Sequence, residues 1–125
     1  MPEASKETAS RVEDVGVMEG RYEELGGYTV GFETFREDAD ATPLFKGLPD
    51  DRCQSPHWGY VVRGRLTFKY SDSEEVYEGG DAYYAPPGHI PVAIAGTEVI
   101  EFSSTDEYRK TMEVMSRNLG AMQDA

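Results

Sequence analysis

The chain has 125 residues, the size of one ordinary domain and too few for two separate cores. Its net charge of −12 repels nucleic-acid phosphates and anionic lipid, so neither is expected as a partner. No apolar run approaches the roughly 20 residues that cross a bilayer. The single cysteine, Cys53, excludes an intramolecular disulfide and suits a reducing compartment. Together with the lack of an apolar leader-like segment in residues 1–14, this predicts a cytoplasmic protein.

The composition divides the chain into three parts. Residues 1–14 mix acidic, hydroxyl and basic side chains with little apolar content, which predicts a mobile acidic tail. Short apolar stretches of period two, broken by Gly, Pro and Asp, fill residues 15–104 and predict a β domain. Residues 105–125 have helical spacing and are predicted as a helix followed by a short tail.

The first clear strand lies near residue 30. Tyr28, Val30 and Phe32 alternate with polar or small residues, as in a half-buried strand. The apolar phase slips at Phe35, which indicates a bulge or the end of the strand.

Several more strands follow between turn signals. Residues 52–63 read as an extended segment, and Gly64-Arg65 is predicted as a hairpin turn. Leu66, Phe68 and Tyr70 form the most regular alternation in the chain. Further short strands are predicted between Gly-, Pro- and Ser-rich turns, at residues 75–78, 82–85, 92–95 and 98–102. Many short strands at this spacing favour an all-β barrel or sandwich.

The C-terminal segment is helical in character. Ser104 followed by Glu107 is a capping-box pattern, and a helix is predicted over residues 106–119. Its apolar stripe recurs at helical spacing and consists of Tyr108, Met112, Met115 and Leu119. This stripe either closes the barrel by packing or forms a subunit interface.

The two histidines both lie beside turn-forming residues. His57 and His89 come from separate strand ends, which an antiparallel barrel can bring together. Cys53 precedes His57 by four residues, roughly 13 Å along an extended strand, so the two can share a metal only if the chain bends, for which Pro56 offers a place. Imidazole and thiolate are ligands of divalent transition metals. The alternative for each histidine is a hydrogen-bonded structural role.

Two stretches resemble the motifs of the cupin superfamily. The residues from Tyr60 to Leu66 are similar to the end of the first cupin motif, and those from Gly80 to Gly88 are similar to the second. The resemblance covers roughly residues 28–102. It implies a small single-domain cupin, an all-β double-stranded β-helix (a jelly-roll barrel) with a C-terminal helix, a polar site at the barrel mouth, and a homodimer.

The ligand positions depart from the usual cupin pattern. Counted from Gly64, Asp51 and Cys53 stand where that motif has its two histidines, and His57 stands where it has Glu. Pro91 occupies the histidine position of the second motif, and His89 comes two residues earlier. The resemblance therefore implies a variant set of Cys53, His57 and His89, with Asp51 as a weaker candidate, for Fe, Zn, Mn or Ni.

The neighbours of this set carry further expectations. Trp58, Tyr60, Tyr83 and Tyr84 are candidates for contact with a small molecule, with core packing as the alternative; alternation sends Tyr83 and Tyr84 to opposite faces. Cys53 is a metal ligand, a nucleophile or a small buried hydrophobe. Glu98 and Glu101 each either supply a carboxylate to the pocket or are solvated at the surface.

Three functions stay open on the sequence. The first is a metal-dependent enzyme with dioxygenase-, isomerase- or lyase-type chemistry, which the cupin resemblance implies as a range rather than a choice. The second is a metal-free module that binds a small molecule in the barrel. The third is a structural dimer without catalysis.

Overall fold

The computed structural model describes residues 3–123, which form two antiparallel sheets and one helix. The ten strands are β1 (Arg11–Asp14), β2 (Met18–Leu25), β3 (Tyr28–Phe35), β4 (Ala39–Asp40), β5 (His57–Arg63), β6 (Arg65–Lys69), β7 (Glu74–Glu78), β8 (Ala82–Ala85), β9 (Ile90–Ala93) and β10 (Glu98–Ser104). Two short 3₁₀ turns, Thr42–Phe45 and Pro49–Asp51, precede β5, and the helix α1 (Thr105–Gln123) follows β10.

The strands are divided between a six-stranded and a four-stranded sheet. The larger sheet has the order β1-β2-β3-β10-β5-β8, and the smaller has the order β4-β9-β6-β7. The chain crosses between the sheets repeatedly, as in a jelly-roll barrel. The predicted all-β barrel with one C-terminal helix is confirmed.

Gly64 marks one of these crossings. The strands on either side of it, β5 and β6, belong to different sheets, so the predicted hairpin turn at Gly64-Arg65 is instead a corner between sheets. Gly64 has φ +89°, and a Cβ there would overlap Thr97, whose hydroxyl exchanges hydrogen bonds with the backbone of Arg65. A glycine is needed at this corner because the backbones approach so closely.

The phase of β3 is opposite to the predicted one. Its pairing with β2 and β10 runs to Phe35 without a register shift, so no bulge is present. Glu33 and Phe35 share the face that turns into the barrel with Gly31, while Tyr28 and Phe32 lie on the other face. The alternative prediction, a strand end at Phe35, is confirmed, and Phe35 is the one large apolar residue on the inward face of this strand.

The core between the sheets is built from alternate residues of the central strands. Its main cluster is buried and consists of Val61, Leu66, Phe68, Tyr83, Ala85, Ala93 and Val99. The predicted alternation of β6 is confirmed at Leu66 and Phe68, which are almost fully buried, and Tyr70 packs against this cluster at its edge. A second cluster of Phe45, Cys53 and Ile90 continues the core towards the helix.

The helix α1 lies across one end of the barrel. It packs against the first 3₁₀ turn, Thr42–Phe45, and the Asn118 amide donates hydrogen bonds of 2.7 and 2.8 Å to the carbonyls of Leu44 and Lys46. The apolar stripe predicted from helical spacing faces the barrel, where its four residues line a cavity. The helix is longer than the sequence predicted: it continues beyond Leu119 to Gln123.

The N-terminal segment is more regular than its composition suggested. Residues 11–14, assigned to the tail from composition, form the edge strand β1 and pair with β2 over four residues. Arg36 of the neighbouring connection holds Asp14 through two hydrogen bonds of 2.8 and 2.9 Å. Among the described residues, no helix is long and apolar enough to cross a membrane.

Candidate functional site

The inward face of the six-stranded sheet is arranged in rows across the strands. One row runs from Tyr22 on β2 through Gly31, Glu101 and Gly59 to Tyr83 on β8. The two glycines flank Glu101, and the rings of Tyr22 and Tyr83 lie over them so closely that a Cβ would overlap each ring. The sequence thus makes room for two inward tyrosines beside one buried glutamate.

The predicted metal ligands come together inside the barrel, beside this row, since His57 lies two residues before Gly59 on β5. Candidate ligand atoms of Cys53, His57 and His89 all lie within 4.8 Å of one another, and all three residues are buried. Cys53 Sγ is 3.6 Å from His57 Nε2, and the two imidazole centroids are 4.9 Å apart. The four-residue spacing permits this because residues 53–56 leave the strand, and the Cys53 backbone instead bridges to His89 with a 2.9 Å hydrogen bond.

Hydrogen bonds orient both imidazoles. His89 Nδ1 donates to the carbonyl oxygen of Pro86 at 2.7 Å, so in the neutral ring the lone pair is on Nε2. That Nε2 is fully buried and has no hydrogen-bond partner among the described residues. His57 Nδ1 bonds to the Ser103 hydroxyl at 2.6 Å, which leaves its Nε2 beside the Cys53 thiol. Such partners for Nδ1 are typical of metal-binding histidines.

The burial of the three side chains sets their charge states. Desolvation lowers the pKa of both His57 and His89 to about 4, so both rings are neutral at neutral pH. Desolvation likewise raises the pKa of the Cys53 thiol to about 12. The site therefore contains two neutral imidazole donors and a thiol that must release its proton to act as a ligand.

A pair of buried carboxyl groups lines the same part of the barrel. Glu33 and Glu101 lie on neighbouring inward positions of β3 and β10, and each accepts a hydrogen bond from a tyrosine hydroxyl: Tyr22 to Glu33 at 2.8 Å and Tyr83 to Glu101 at 3.0 Å. Burial is the main cause that raises the pKa of both carboxyls well above the ordinary value, and their mutual repulsion adds to the shift of Glu33. The charges of this pair also act on the Cys53 thiol.

Both groups of polar residues open onto one cavity. Its volume is about 580 Å³, and Cys53, His57, His89, Glu33 and Glu101 are all in its wall. Most of the remaining wall is apolar, and the helix α1 supplies one side of it through its methionine stripe. A mostly apolar cavity with a few convergent polar groups is the usual form of a small-molecule site.

The predicted ligand-contacting aromatics are divided by the alternation of β5 and β8. Tyr83 points inward, as one of the pair Tyr83 and Tyr84 had to, but its hydroxyl is engaged by Glu101 in the core. Trp58, Tyr60 and Tyr84 point outward and are 45%, 45% and 47% exposed. The expectation that these three contact a ligand in the barrel is corrected, because they lie on the face of the sheet opposite the cavity.

The carboxylate candidates are also redistributed. Asp51 is exposed and its carboxylate accepts a hydrogen bond from the Gly47 backbone at 2.9 Å, so it takes no part in the buried set. Glu98 forms ion pairs with Lys6 and Arg63. Glu101 lies in the cavity wall, so for this residue the pocket position is the one that the structure has.

Glu33 was not recognised from the sequence as a site residue. The signal was the phase of Phe35, which shares the inward face with Gly31 and Glu33. Apolar content did not distinguish the two faces, because Val30 on the other face is also buried. Tyr22 was also missed, because its inward position depends on its pairing with Gly31 on the neighbouring strand, which leaves room for the tyrosine ring.

Comparison with known proteins bears on the fold. No protein-family model and no curated protein matches the chain. It is similar in structure to an RmlC-like cupin from Shewanella frigidimarina (TM-score 0.55, 16% identity, 82% of this chain and 89% of that one). It is also similar to KdgF from Halomonas sp. (0.52, 20%, 75% and 86%) and to a protein of unknown function from Rhizobium leguminosarum (0.58, 16%, 83% and 95%).

These likenesses support the barrel fold described above. The chain is a small cupin domain in its fold, as the two sequence motifs implied. At 16–20% identity the likeness concerns the fold, and the chemistry has to be argued from this chain's own residues.

Proposed function

We propose that this protein is a metal-binding cupin that holds one divalent transition metal through Cys53, His57 and His89 and binds a small molecule in the adjoining cavity. The observation that carries the proposal is the convergence of three buried donors within 4.8 Å, with an imidazole Nε2 that lacks any partner among the described residues. An unpaired polar atom in such a place is costly unless a ligand satisfies it.

The chemistry of the donors fits a metal. A thiolate with two imidazoles suits Zn or Fe better than Mn, and Ni is also compatible with it. Three protein ligands leave a coordination position free, which is the arrangement of catalytic rather than structural sites. When bound, such an ion supplies Lewis acidity or activates an oxygen-containing ligand, and we propose dioxygenase-, isomerase- or lyase-type catalysis as the use of the site.

The chain's own residues prepare the site for this role. Ser103 and the Pro86 carbonyl fix the orientation of the two imidazoles before a metal arrives, so little ordering is needed on binding. The apolar stripe of α1 forms one side of the cavity wall, so polar contacts within the cavity come from a few groups. Electrostatic interactions with a ligand are stronger in such surroundings than at the surface.

Elemental analysis of protein purified without an affinity tag tests the proposal. The parent, after reconstitution with Fe, Zn, Mn or Ni, should contain close to one metal per chain, and the His57→Ala/His89→Ala double variant should contain none. Asp51→Asn is the matched control, because its carboxyl lies near the site in sequence yet is exposed, and it should retain the metal. A parent that takes up none of the four metals would refute the proposal and favour the metal-free binding module.

We also propose that two copies associate through the outer face of the larger sheet. Trp58, Tyr60, Tyr84, Phe102 and Tyr28 are each between 42% and 47% exposed there, and the Trp58 ring lies 5.1 Å from that of Tyr84. Together these aromatics expose roughly 500 Å² of the about 800 Å² that each partner buries in a standard interface. The same surface can meet itself across a two-fold axis, as in most homodimers.

The oligomeric state in solution tests this second proposal. Light scattering after size exclusion should give twice the chain mass for the parent and the chain mass for Trp58→Ser/Tyr84→Ser. Val76→Ser is the control, since Val76 is equally exposed at 50% but lies on the smaller sheet, and it should leave the dimer intact. A monomeric parent at high protein concentration would refute the proposal.

The cysteine among the three proposed metal ligands also indicates the cellular compartment of the protein. Cys53 is a free, buried thiol, and as a metal ligand it has to stay reduced. The cytosol keeps thiols in that state, so we propose a cytoplasmic protein. The net charge of −12 gives no reason to expect nucleic acid or an anionic membrane as a partner.

A further inference from the structure

The charges in the cavity wall are all of one sign. Its described lining includes five acidic residues, Glu13, Glu33, Asp38, Asp40 and Glu101, and no Lys or Arg. Two of the five, Glu33 and Glu101, form the buried pair below the Cys53, His57 and His89 cluster. Glu13 and Asp40 form ion pairs with Arg11 and Lys69, so the buried pair is the main feature of this wall that would attract a cation and repel a carboxylate or a phosphate.

The carboxyl pair lacks the partner that buried carboxyls normally have. Among the described residues, the side-chain hydrogen bonds to Glu33 and Glu101 come from two neutral tyrosines, and neither carboxyl forms an ion pair. Buried charges are usually paired with an opposite charge or a metal. Two desolvated carboxyls with only neutral donors therefore share a proton in place of a counter-charge, and a cation with N–H groups can replace that proton.

A second feature of the cavity points to a ligand independently of its charge. His89 is wholly buried in the same wall, and its Nε2 has no partner among the described residues. The cavity of about 580 Å³ that His89, Glu33 and Glu101 line has room for a compact organic molecule. Apolar side chains of α1 and the 3₁₀ turn before β5 surround the remainder of the space.

We propose that the small molecule bound in this cavity carries a primary or secondary ammonium group on an apolar body, and that Glu33 and Glu101 bind the ammonium. The N–H groups donate to the carboxylate oxygens, and the proton that the two carboxyls share leaves to solvent. Tyr22 and Tyr83 keep the pair in place through the bonds that they already make. The inference rests on the proposed function only in assuming that the cavity takes a small molecule, and it does not require the metal.

Three probes of the same length test the sign of the charge. The binding of n-hexylammonium, 1-hexanol and hexanoate is measured by calorimetry at about pH 8, where the amine is still cationic because aliphatic amines titrate near pH 10. The protein is used as purified and again after chelator treatment. We expect the ammonium to bind about tenfold or more tightly than the alcohol, the usual effect of hydrogen bonds to charged groups, and hexanoate to bind most weakly.

Charge-removing variants assign the effect to the pair. In Glu33→Gln/Glu101→Gln the preference for ammonium over alcohol should fall to about twofold or less, because the amides keep the shape of the carboxyls and lose their charge. Asp40→Asn is the matched control, since Asp40 also lines the cavity but is exposed and is bonded to Thr42, and it should keep the preference. If the double variant does not fold, each single variant should lose most of the preference.

The outcomes separate this inference from the metal proposal. Metal content is measured on the same samples, so an ammonium preference in metal-free protein supports the inference even if the metal proposal fails. Equal binding of the three probes, a preference for hexanoate, or no measurable binding of the ammonium would overturn it. So would an ammonium preference that survives in the folded Glu33→Gln/Glu101→Gln protein.

Discussion

The substitution Gly59→Ala tests whether the inward row of the larger sheet is built as described. A Cβ at Gly59 would overlap the Cζ and hydroxyl oxygen of Tyr83 and would lie 2.7 Å from its Cε2. The ring has to retreat by about 1 Å to restore ordinary contact, in a core where such shifts are resisted. It has little room, because its centroid is 5.2 Å from those of both Phe68 and Tyr77.

The expected loss of stability has two parts. Overpacking of a well-packed core costs about 1–3 kcal/mol. Moving the Tyr83 hydroxyl away from Glu101 also weakens a 3.0 Å hydrogen bond, and a bond of this kind contributes about 1–2 kcal/mol. We therefore expect Gly59→Ala to lower the free energy of unfolding by about 2–4 kcal/mol, a large share of the total for a domain of this size.

Urea unfolding followed by circular dichroism gives this number directly. Gly120→Ala is the control, because Gly120 lies within α1, its Cβ would have no neighbour within 4 Å, and alanine in a helix is more stable than glycine by about 0.5–1 kcal/mol. The two glycine substitutions should thus shift stability in opposite directions. If Gly59→Ala unfolds within about 0.5 kcal/mol of the parent, Tyr83 does not lie over Gly59 and the row is wrongly described.

The remaining predictions concern the polar groups of the cavity. Ser103→Ala removes the 2.6 Å hydrogen bond to His57 and should lower metal affinity about 10- to 100-fold. Competition with a chelating dye measures this affinity. An unchanged affinity would mean that the His57 ring does not need this hydrogen bond. Because burial raises the pKa of the Cys53 thiol to about 12, metal binding must release its proton; affinity should rise with pH across the neutral range, and a flat profile would exclude Cys53 as a ligand. Burial also raises the pKa of Glu33 and Glu101 above the ordinary 4.5, so folding favours their protonated forms; their contribution to stability is complete below pH 4.5 and is lost as pH rises through the raised values. Urea unfolding at a series of pH values should therefore show Glu33→Gln/Glu101→Gln gaining on the parent as pH rises, and parallel profiles would contradict the buried pair.

The spacing of apolar and turn-forming residues along the chain predicted much of the architecture. Alternation on β6 and the turn residues around it predicted the barrel strands, since a half-buried strand needs a period of two whatever its partners are. Helical spacing of Met112 and Met115 predicted α1, since the apolar face of a helix repeats about every 3.6 residues whatever it packs against. The histidines beside turns marked His57 and His89, because polar residues at strand ends gather at the mouth of a barrel.

The limits of that pattern are clearest on β3 and β5. Composition gives the period of a strand but does not say which of its two faces turns inward. On β3 the face with more apolar residues, that of Tyr28 and Phe32, was taken as the inner one, and this concealed Glu33. On β5 the same ambiguity placed Trp58 and Tyr60 beside the site, although they lie on the outside of the sheet.

The sequence by itself determined the all-β class, the C-terminal helix, and the three residues Cys53, His57 and His89 as candidate ligands. Only the tertiary structure decided that Cys53 and His57 meet, because the bend that brings Sγ within 3.6 Å of Nε2 depends on the backbone bridge from Cys53 to His89. The carboxyl pair has the same origin. Glu33 and Glu101 are 68 positions apart, and the register of β3 against β10 puts them on neighbouring inward positions. Contacts of this kind are fixed by which strands pair and in what register, and a one-residue shift would have sent either glutamate to solvent.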